Sequence, residues 1–374
     1  MATPVTVSVI VNNYDYGRFL KEAIDSALHQ SYPSVEVIVV DDGSTDHSRE
    51  IITGYADRII PVLKTNGGQA SAFNAGFRVS RGEVVMFLDS DDVLLPGAVE
   101  QVVPLFQDAD VVKVHWPLWE IDKNGEKTGQ LEPRGTLPEG DLREIVFREG
   151  PASHRNPPTT GNAWARWFLE RVCPIPEQDW KICADCYLLE LAPLFGPIKR
   201  ILEPQGLYRA HGQNSYGRLA FDVMLRQQVA LYNHLFTVMS QRSQDWGLDI
   251  DLEVWKRKSW HHWLDRAMQE MATVIAPEDT FILVDQDEWG MTDGAIHRPI
   301  PFLERDGQYW GNPADDETAI RELERLRQAS AKFIVFGWPA FWWFDYYLGL
   351  HHYLRSHFRC VLENERLVVF DLRG

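Results

Sequence analysis

The chain has 374 residues, enough for two or three domains, and its 45% hydrophobic and 24% charged residues are typical of a globular protein. A formal net charge of −17 disfavours a surface that binds polyanions, so no nucleic-acid partner is expected. Four cysteines are too few for a disulfide scaffold, and no stretch is predicted as a signal peptide or membrane span. These features favour a protein of a reducing, cytoplasmic compartment.

Strands and helices alternate over the first hundred residues. Short, almost continuous apolar runs are typical of strands buried on both faces of a parallel sheet. Such runs span residues 5–11, 35–40, 59–63 and 83–88. Helical spacing of apolar residues follows at 19–28, a helix capped by Ser44 or Thr45 is predicted to run toward residue 52, and another begins after Gly68. The alternation predicts a doubly wound α/β sheet.

Acidic side chains cluster where three of these strands end, which is where open α/β sheets bind ligands. Residues 1–110 contain 16 acidic and 7 basic side chains. Seven of these acids lie on or beside the predicted strand ends: Asp15, Asp41, Asp42, Asp46, Asp89, Asp91 and Asp92. A divalent cation would relieve their repulsion, and oxygen ligands suit Mg²⁺ or Mn²⁺. For Asp42, Ser44 and Asp46, helix capping and turn formation explain the pattern equally well.

Four segments resemble, in order and spacing, the family 2 glycosyltransferases of the GT-A fold. They read Val-Ser-Val-Ile-Val at 7–11, Val-Val-Asp-Asp-Gly-Ser at 39–44, Asn-Gly-Gly-Gln-Ala-Ser-Ala-Phe-Asn-Ala-Gly at 66–76 and Phe-Leu-Asp-Ser-Asp-Asp at 87–92. Segments at 160–166, 184–189 and 208–212 resemble acceptor-side elements, so the resemblance covers roughly residues 5–217. It implies an inverting, Mn²⁺- or Mg²⁺-dependent transfer of a sugar from a nucleotide-sugar donor to a glycan or lipid-linked acceptor hydroxyl.

The resemblance also implies roles for individual residues. Tyr14 would stack on the donor base and Asp41 would hydrogen-bond it. Asp185 would be the general base. Asp89, Asp91 and Asp92 would hold the ribose and the metal, with His211 approaching the metal or diphosphate; which of Asp91 and Asp92 bonds the metal directly stays open. The other donor-binding candidates are Asn12, Asp15, Asn66, Gln69, Asn74 and Ser90.

The sequence departs from the family pattern in three places, and two other functions compete with sugar transfer. Asn12 and Asn13 replace the usual Pro-Thr and Asp15 replaces an Asn, so the nucleotide stays open. Ala184 replaces the Glu before the base, which leaves Asp185 as the general base that the resemblance implies. A nucleotidyltransferase would also use a carboxylate-held metal, but it would need a basic, glycine-rich loop after the first strand. A non-catalytic glycan- or partner-binding scaffold would not need the five aspartates Asp41, Asp89, Asp91, Asp92 and Asp185 together.

The remainder of the chain divides by pattern. Residues 123–140 and 150–161 are predicted loops, and the second is placed to shape an acceptor site. We expect a GT-A domain over 1–217, a helical linker region over 218–276 and a small accessory α/β domain over 277–374. Aromatic residues at 338–347 predict either an exposed patch for a partner, glycan or lipid surface, or a buried domain interface. Contact with the inner membrane face and assembly into homo-oligomers both stay open.

Overall fold

The computed structural model describes residues 4–211, 221–244, 251–291 and 298–373, and its chain forms two compact units. The first comprises Met1–Gly217 and Leu231–Trp255, and the second comprises Arg218–Ala230 and Lys256–Gly374. The predicted boundary at residue 217 lies outside the described residues, and the predicted linker region is shared between the two units. Within the described ranges, no helix is both long and apolar enough to cross a membrane.

The first unit contains a seven-stranded and a four-stranded sheet with helices packed on them. Its strands are β1 (Val7–Asn13), β2 (Val35–Asp42), β3 (Ile60–Lys64), β4 (Val84–Asp89), β5 (Val93–Leu94), β6 (Lys113–His115), β7 (Leu118–Ile121), β8 (Lys127–Glu132), β9 (Asn162–Ala165), β10 (Ile198–Arg200) and β11 (Gly206–Arg209). Its first helices are α1 (Gly17–Leu28), α2 (Ser48–Gly54), α3 (Gln69–Val79), α4 (Ala98–Val102), α5 (Arg143–Glu149), α6 (Arg166–Val172) and α7 (Ala184–Phe195). The chain continues into α8 (Phe221–Gln244) and α9 (Leu252–Lys258).

The larger sheet is mixed, with the strand order β10-β6-β9-β4-β1-β2-β3. Strands β4, β1, β2 and β3 run parallel to one another, whereas β9 is antiparallel to both β4 and β6. Consecutive residues of β1 belong to separate cores on the two faces, because Ile10 packs in one apolar cluster and Val9 and Val11 pack in the other. The predicted α/β sheet, buried on both faces, is therefore confirmed.

Two local predictions differ from the structure. Helix α2 begins at Ser48, not near Ser44, because the Ser44 side chain instead accepts a hydrogen bond from the Asn13 amide. The predicted loop at 123–140 contains strand β8, which forms an antiparallel hairpin with β7. The first difference comes from a contact between residues 31 positions apart, which local sequence patterns do not encode.

The second unit is a smaller α/β structure. Its helices beyond α9 are α10 (Trp260–Met271), α11 (Asp316–Gln328), α12 (Trp343–Tyr346) and α13 (Leu348–His357). Its strands are β12 (Thr280–Val284), β13 (Arg298–Pro301), β14 (Glu304–Arg305), β15 (Gln308–Tyr309), β16 (Phe333–Gly337), β17 (Arg359–Glu363) and β18 (Leu367–Asp371). Five of them form the sheet β13-β12-β16-β18-β17. The aromatic segment at 338–347 is split, since Trp343 and Tyr347 are buried while Trp342 and Tyr346 are exposed.

Candidate active site

The asparagines that end β1 connect the acidic ends of its two neighbours. In the sheet register, Asn12 lies beside Asp89 of β4, and Asn13 lies beside Asp41 of β2. Asn12 Nδ2 donates to Asp89 Oδ1 at 2.7 Å, and Asn13 Nδ2 donates to Asp41 Oδ1 at 3.1 Å. The departure from the family pattern at these two positions thus has a structural reason, because each amide donates a hydrogen bond to a carboxylate at an adjacent strand end.

The two aspartates that end β2 are held by different partners. Asp41 is fully buried, accepts a bond from Arg49 Nε at 2.8 Å and receives Ser44 N–H at 3.2 Å. Burial acts to raise the pKa of Asp41, but its hydrogen bonds with Ser44, Arg49 and Asn13 outweigh it, so that the pKa lies below its usual value. Asp41 is therefore a fixed negative charge at this edge.

Asp42 points into the loop that leads to α3. It pairs with Lys64 and accepts the backbone N–H groups of Gly67 and Gly68, the latter at 2.7 Å. Gly68 has a φ of +88° and a Cβ there would lie 2.7 Å from backbone atoms of Lys181, so the position requires glycine. These contacts give Asp42 the turn-forming role that sequence patterns allowed.

The turn after β1 leaves one aromatic ring open to solvent. Asp15 adopts a φ of +57°, and its Oδ1 accepts the N–H of Thr45 at 2.7 Å and that of Asp46 at 3.3 Å. Asp46 in turn accepts the N–H of Gly17 at 2.8 Å. The Tyr14 side chain is 47% exposed. The turn is therefore braced by its two aspartates, while Tyr14 keeps a free face for stacking.

The other candidates from the glycine-rich segment are used mainly in internal contacts. Asn66 is exposed and donates to the Asp42 carbonyl at 3.0 Å. Gln69 Oε1 accepts the N–H of Ala184 at 2.9 Å and so fixes the start of α7. Asn74 is buried, and its amide bonds both the N–H and the C=O of Ile175 at 2.8 Å. These side chains attach α3 to the segment that leads into α7.

The acids after β4 form the most negative part of the site. Ser90 and Asp92 are buried; Asp92 Oδ2 accepts the Thr160 hydroxyl at 2.7 Å, and Oδ1 accepts the backbone N–H of Arg209 at 2.9 Å. Asp91 Oδ2 lies 3.0 Å from His211 Nε2. Burial, followed by the charge of Asp91, raises the pKa of Asp89 to about 7, and the same causes raise the pKa of Asp92.

Arg209 fastens this acidic segment from the end of β11. Its side chain is almost completely buried, Nε donates to the Asp91 carbonyl at 2.8 Å, and Nη2 pairs with Glu22 of α1 at 2.5 Å. The guanidinium also lies over the ring of Phe19 at 4.6 Å. The sequence analysis did not single out Arg209 for this role, since Asp91 and Glu22 lie 118 and 187 residues away from it in the chain.

The residues fit a metal ion that is shared with a diphosphate better than a metal held by protein alone. Within the ranges given above, no three His, Cys, Asp or Glu side chains are grouped so that they could hold a metal ion. Both oxygens of Asp92 are engaged, whereas Asp91 contacts His211. Mg²⁺ typically binds one or two carboxylates and completes its shell with phosphates and water. Such a cation would offset the repulsion that Asp89 experiences from the charges of Asp91 and Asp185.

Asp185 comes from a separate segment and reaches the same edge. It lies in the first turn of α7, and its Oδ2 accepts the Thr159 hydroxyl at 3.2 Å. Burial raises the pKa of Asp185, and the charge of Asp185 in turn raises the pKa of Asp89. Two adjacent threonines of one turn therefore bind acids from two segments: Thr159 bonds Asp185 of α7, and Thr160 bonds Asp92 after β4. Thr159 is a further residue whose role the sequence analysis missed.

The mixed sheet with carboxylates at its strand ends is the architecture that the GT-A resemblance predicts for the first unit. Residues 8–169 match the family described as glycosyl transferase family 2. The predicted family resemblance and fold class are thereby confirmed.

Relatives found by sequence are named glycosyltransferases. The chain is 42% identical over 214 residues to an uncharacterized glycosyltransferase of Nostoc sp., covering 56% of this chain and 66% of the relative. It is 39% identical over 104 residues to an uncharacterized glycosyltransferase of Rickettsia prowazekii, covering 28% of this chain and 33% of that one. The chain thus spans less than two thirds of the length of these relatives. S. aureus TarS 1–349 in complex with UDP is 20% identical, with a TM-score of 0.46 over 73% of this chain and 84% of its own.

Proposed function

We propose that the first unit is an inverting, divalent-metal-dependent glycosyltransferase that moves a sugar from a nucleotide-sugar donor to a glycan or lipid-linked acceptor hydroxyl. The observation that carries the proposal is the turn at 159–161, where Thr159 bonds Asp185 and Thr160 bonds Asp92. It brings a carboxylate of α7 beside the acids after β4. A proton acceptor and a diphosphate site from different chain segments are what inversion by direct displacement requires.

The donor half of the site combines a stacking surface with a negatively charged floor. Tyr14 supplies an exposed ring for the nucleotide base. Asp41, at the end of the neighbouring strand β2, is buried and already accepts hydrogen bonds from Asn13, Ser44 and Arg49, so it contributes its negative charge to the floor of the site. Asp89 and Asp91 would hold the ribose and a Mg²⁺ or Mn²⁺ ion. Such an ion supplies the positive charge that makes a nucleoside diphosphate a good leaving group. We assign the direct metal contact to Asp91, because both Asp92 oxygens already accept hydrogen bonds from Thr160 and Arg209.

The acceptor half of the site depends on Asp185. A sugar hydroxyl is a weak nucleophile, so a carboxylate within hydrogen-bond reach must take its proton as the new bond forms. Asp185 is held by Thr159 and by its own helix start, where Cys186 N–H lies 3.0 Å from Oδ1. Because burial raises its pKa, the carboxylate is a stronger base than an aspartate in water.

The assignment of the base is tested with Asp185→Asn, which keeps the volume and removes the basicity. General base catalysis contributes about a hundred- to ten-thousand-fold, so kcat should fall within that range while the affinity for the nucleoside diphosphate stays unchanged. Asp179→Asn is the matched control, because Asp179 precedes the same helix and is half exposed. A collapse of diphosphate affinity in Asp185→Asn, or turnover near the wild-type rate, would contradict the assignment.

The metal assignment is tested with Asp91→Asn. We expect weaker binding of UDP and of GDP in the presence of Mn²⁺, and loss of the difference between Mn²⁺ and EDTA, as measured by titration calorimetry. Asp110→Asn, an exposed aspartate on the same unit, should behave like the wild type. If Asp91→Asn kept its Mn²⁺-dependent affinity, the metal would lie elsewhere and this part of the proposal would be wrong.

A further inference from the structure

A group of charged and polar side chains is buried behind Asp185, and sugar transfer as described above does not use it. Lys113 of β6 is fully buried, and its Nζ donates to Asn156 Oδ1 at 2.7 Å. Glu190 of α7 is buried as well, and its Oε2 accepts the N–H of Ala152 at 2.9 Å. Removing a lysine and a glutamate from water is costly, so their retention in the interior calls for a reason.

One chain segment connects all the charged members of this group. Between α5 and β9, Ala152 bonds Glu190, Asn156 bonds Lys113, and Thr159 bonds Asp185. The segment thus fixes the lysine of the sheet and the two carboxylates of α7 relative to one another. The Lys113 ammonium also lies 5.5 Å from the centre of the Trp164 ring, which restricts the rotation of its chain.

The charge of Lys113 acts on both carboxylates through the interior, where the low dielectric weakens it little. It opposes the effect of burial on Asp185 and likewise on Glu190. The two histidines near Lys113 do not supply a competing positive charge, because burial and the lysine's charge lower the pKa of His115 to about 2 and that of His154 to about 3. Lys113 is therefore the cation of this group that can act on Asp185.

We propose that Lys113 is a positioning residue for sugar transfer: its ammonium, held by Asn156, favours the charged form of Asp185 and so keeps that carboxylate ready to accept a proton. The inference rests on the proposed function, in which Asp185 is the general base. It adds a residue that touches neither donor nor acceptor and acts through the base alone.

The pH dependence follows from the groups that face each member of the pair. Asp185 is faced by Lys113 of β6, Asp89 of β4 and Cys186 of its own helix. Lys113 is faced by Glu190, and burial lowers the pKa of the lysine to about 7. Below that pH the lysine is charged and helps to keep Asp185 ionised. Above it the lysine is neutral, so its removal should then matter little.

The test compares Lys113→Met with the wild type in kcat against pH from 5 to 9. The probe is release of nucleoside diphosphate with Mn²⁺ from whichever of UDP-glucose, UDP-GlcNAc and GDP-mannose is turned over fastest. Loss of a neighbouring opposite charge should move the midpoint of the acidic limb to higher pH in the Lys113→Met profile, by about one pH unit. At a given pH below the wild-type midpoint the rate should therefore fall about tenfold, while the rate at pH 8.5 stays near that of the wild type.

Three variants make the outcome decisive. Lys113→Arg keeps the charge and should keep the wild-type midpoint. Lys113→Met with Glu190→Gln removes both buried charges, so it avoids an uncompensated glutamate and should show the same upward shift if the single variant does not fold. Asp185→Asn must lose turnover at every pH. An equal loss of rate at all pH values in Lys113→Met would overturn the inference, whereas full activity of Asp185→Asn would overturn the proposed function itself.

Discussion

Replacing Asn74 with alanine should destabilise the first unit and leave donor binding intact. Asn74 lies in the segment that resembles a donor-binding element, yet its amide bonds both peptide groups of Ile175 and it is only 4% exposed. Its Nδ2 also reaches Glu177 Oε1 at 3.2 Å. The side chain thus acts as a peptide-like bridge between α3 and the chain that leads to α7.

The expected size of the effect follows from these contacts. Asn74→Ala leaves the N–H and the C=O of Ile175 without their partner in a buried place, and each unsatisfied group costs about 1–3 kcal/mol. Allowing for partial relaxation, the free energy of unfolding should fall by about 2–4 kcal/mol. For a domain of this size, Tm should then fall by roughly 8 °C, at about 2–4 °C per kcal/mol.

The assay combines urea unfolding with calorimetric titration of UDP and of GDP in the presence of Mn²⁺, at a temperature where both proteins are folded. Asn66→Ala is the matched control, since Asn66 is exposed and water can replace its single bond to the Asp42 carbonyl. It should cost less than about 1 kcal/mol. Unchanged stability of Asn74→Ala together with weakened nucleotide binding would refute the structural role and restore Asn74 as a donor ligand.

Two further predictions concern stacking and pH. Tyr14→Ala should weaken nucleotide binding by about 1–3 kcal/mol, the usual contribution of a base stacked on an aromatic ring, without lowering Tm; loss of Tm at unchanged affinity would contradict it. Burial raises the pKa of Glu190 to about 7, so the folded chain keeps a proton that the unfolded chain releases above about 4.5. The stability contributed by this group should therefore fall as pH rises from 5 to 7, and Glu190→Gln should flatten that slope in urea unfolding; an unchanged slope would show that Glu190 is ionised in the folded protein.

The local sequence determined four of the seven strands of the larger sheet and the place of their acids. The predicted strands at 5–11, 35–40, 59–63 and 83–88 became β1 to β4 with shifts of at most two residues at either end. This worked because strands buried on both faces must be apolar at consecutive positions, and that pattern is visible within a few residues. The same order of elements placed the aspartates of β2 and β4 at one edge, since parallel strands end on the same side.

Tertiary structure alone decided which polar groups meet at this edge of the sheet. Thr160 reaches Asp92 across 68 positions, Arg209 reaches the Asp91 carbonyl across 118, and Gln69 caps α7 across 115. The fold also distinguishes two asparagines of the same glycine-rich segment, because Asn66 is exposed and Asn74 is buried. Periodicity reports which face of an element is buried, but a hydrogen bond between distant segments depends on how those segments pack. The sequence could therefore name the acids of the candidate site, while only the fold showed what holds each of them.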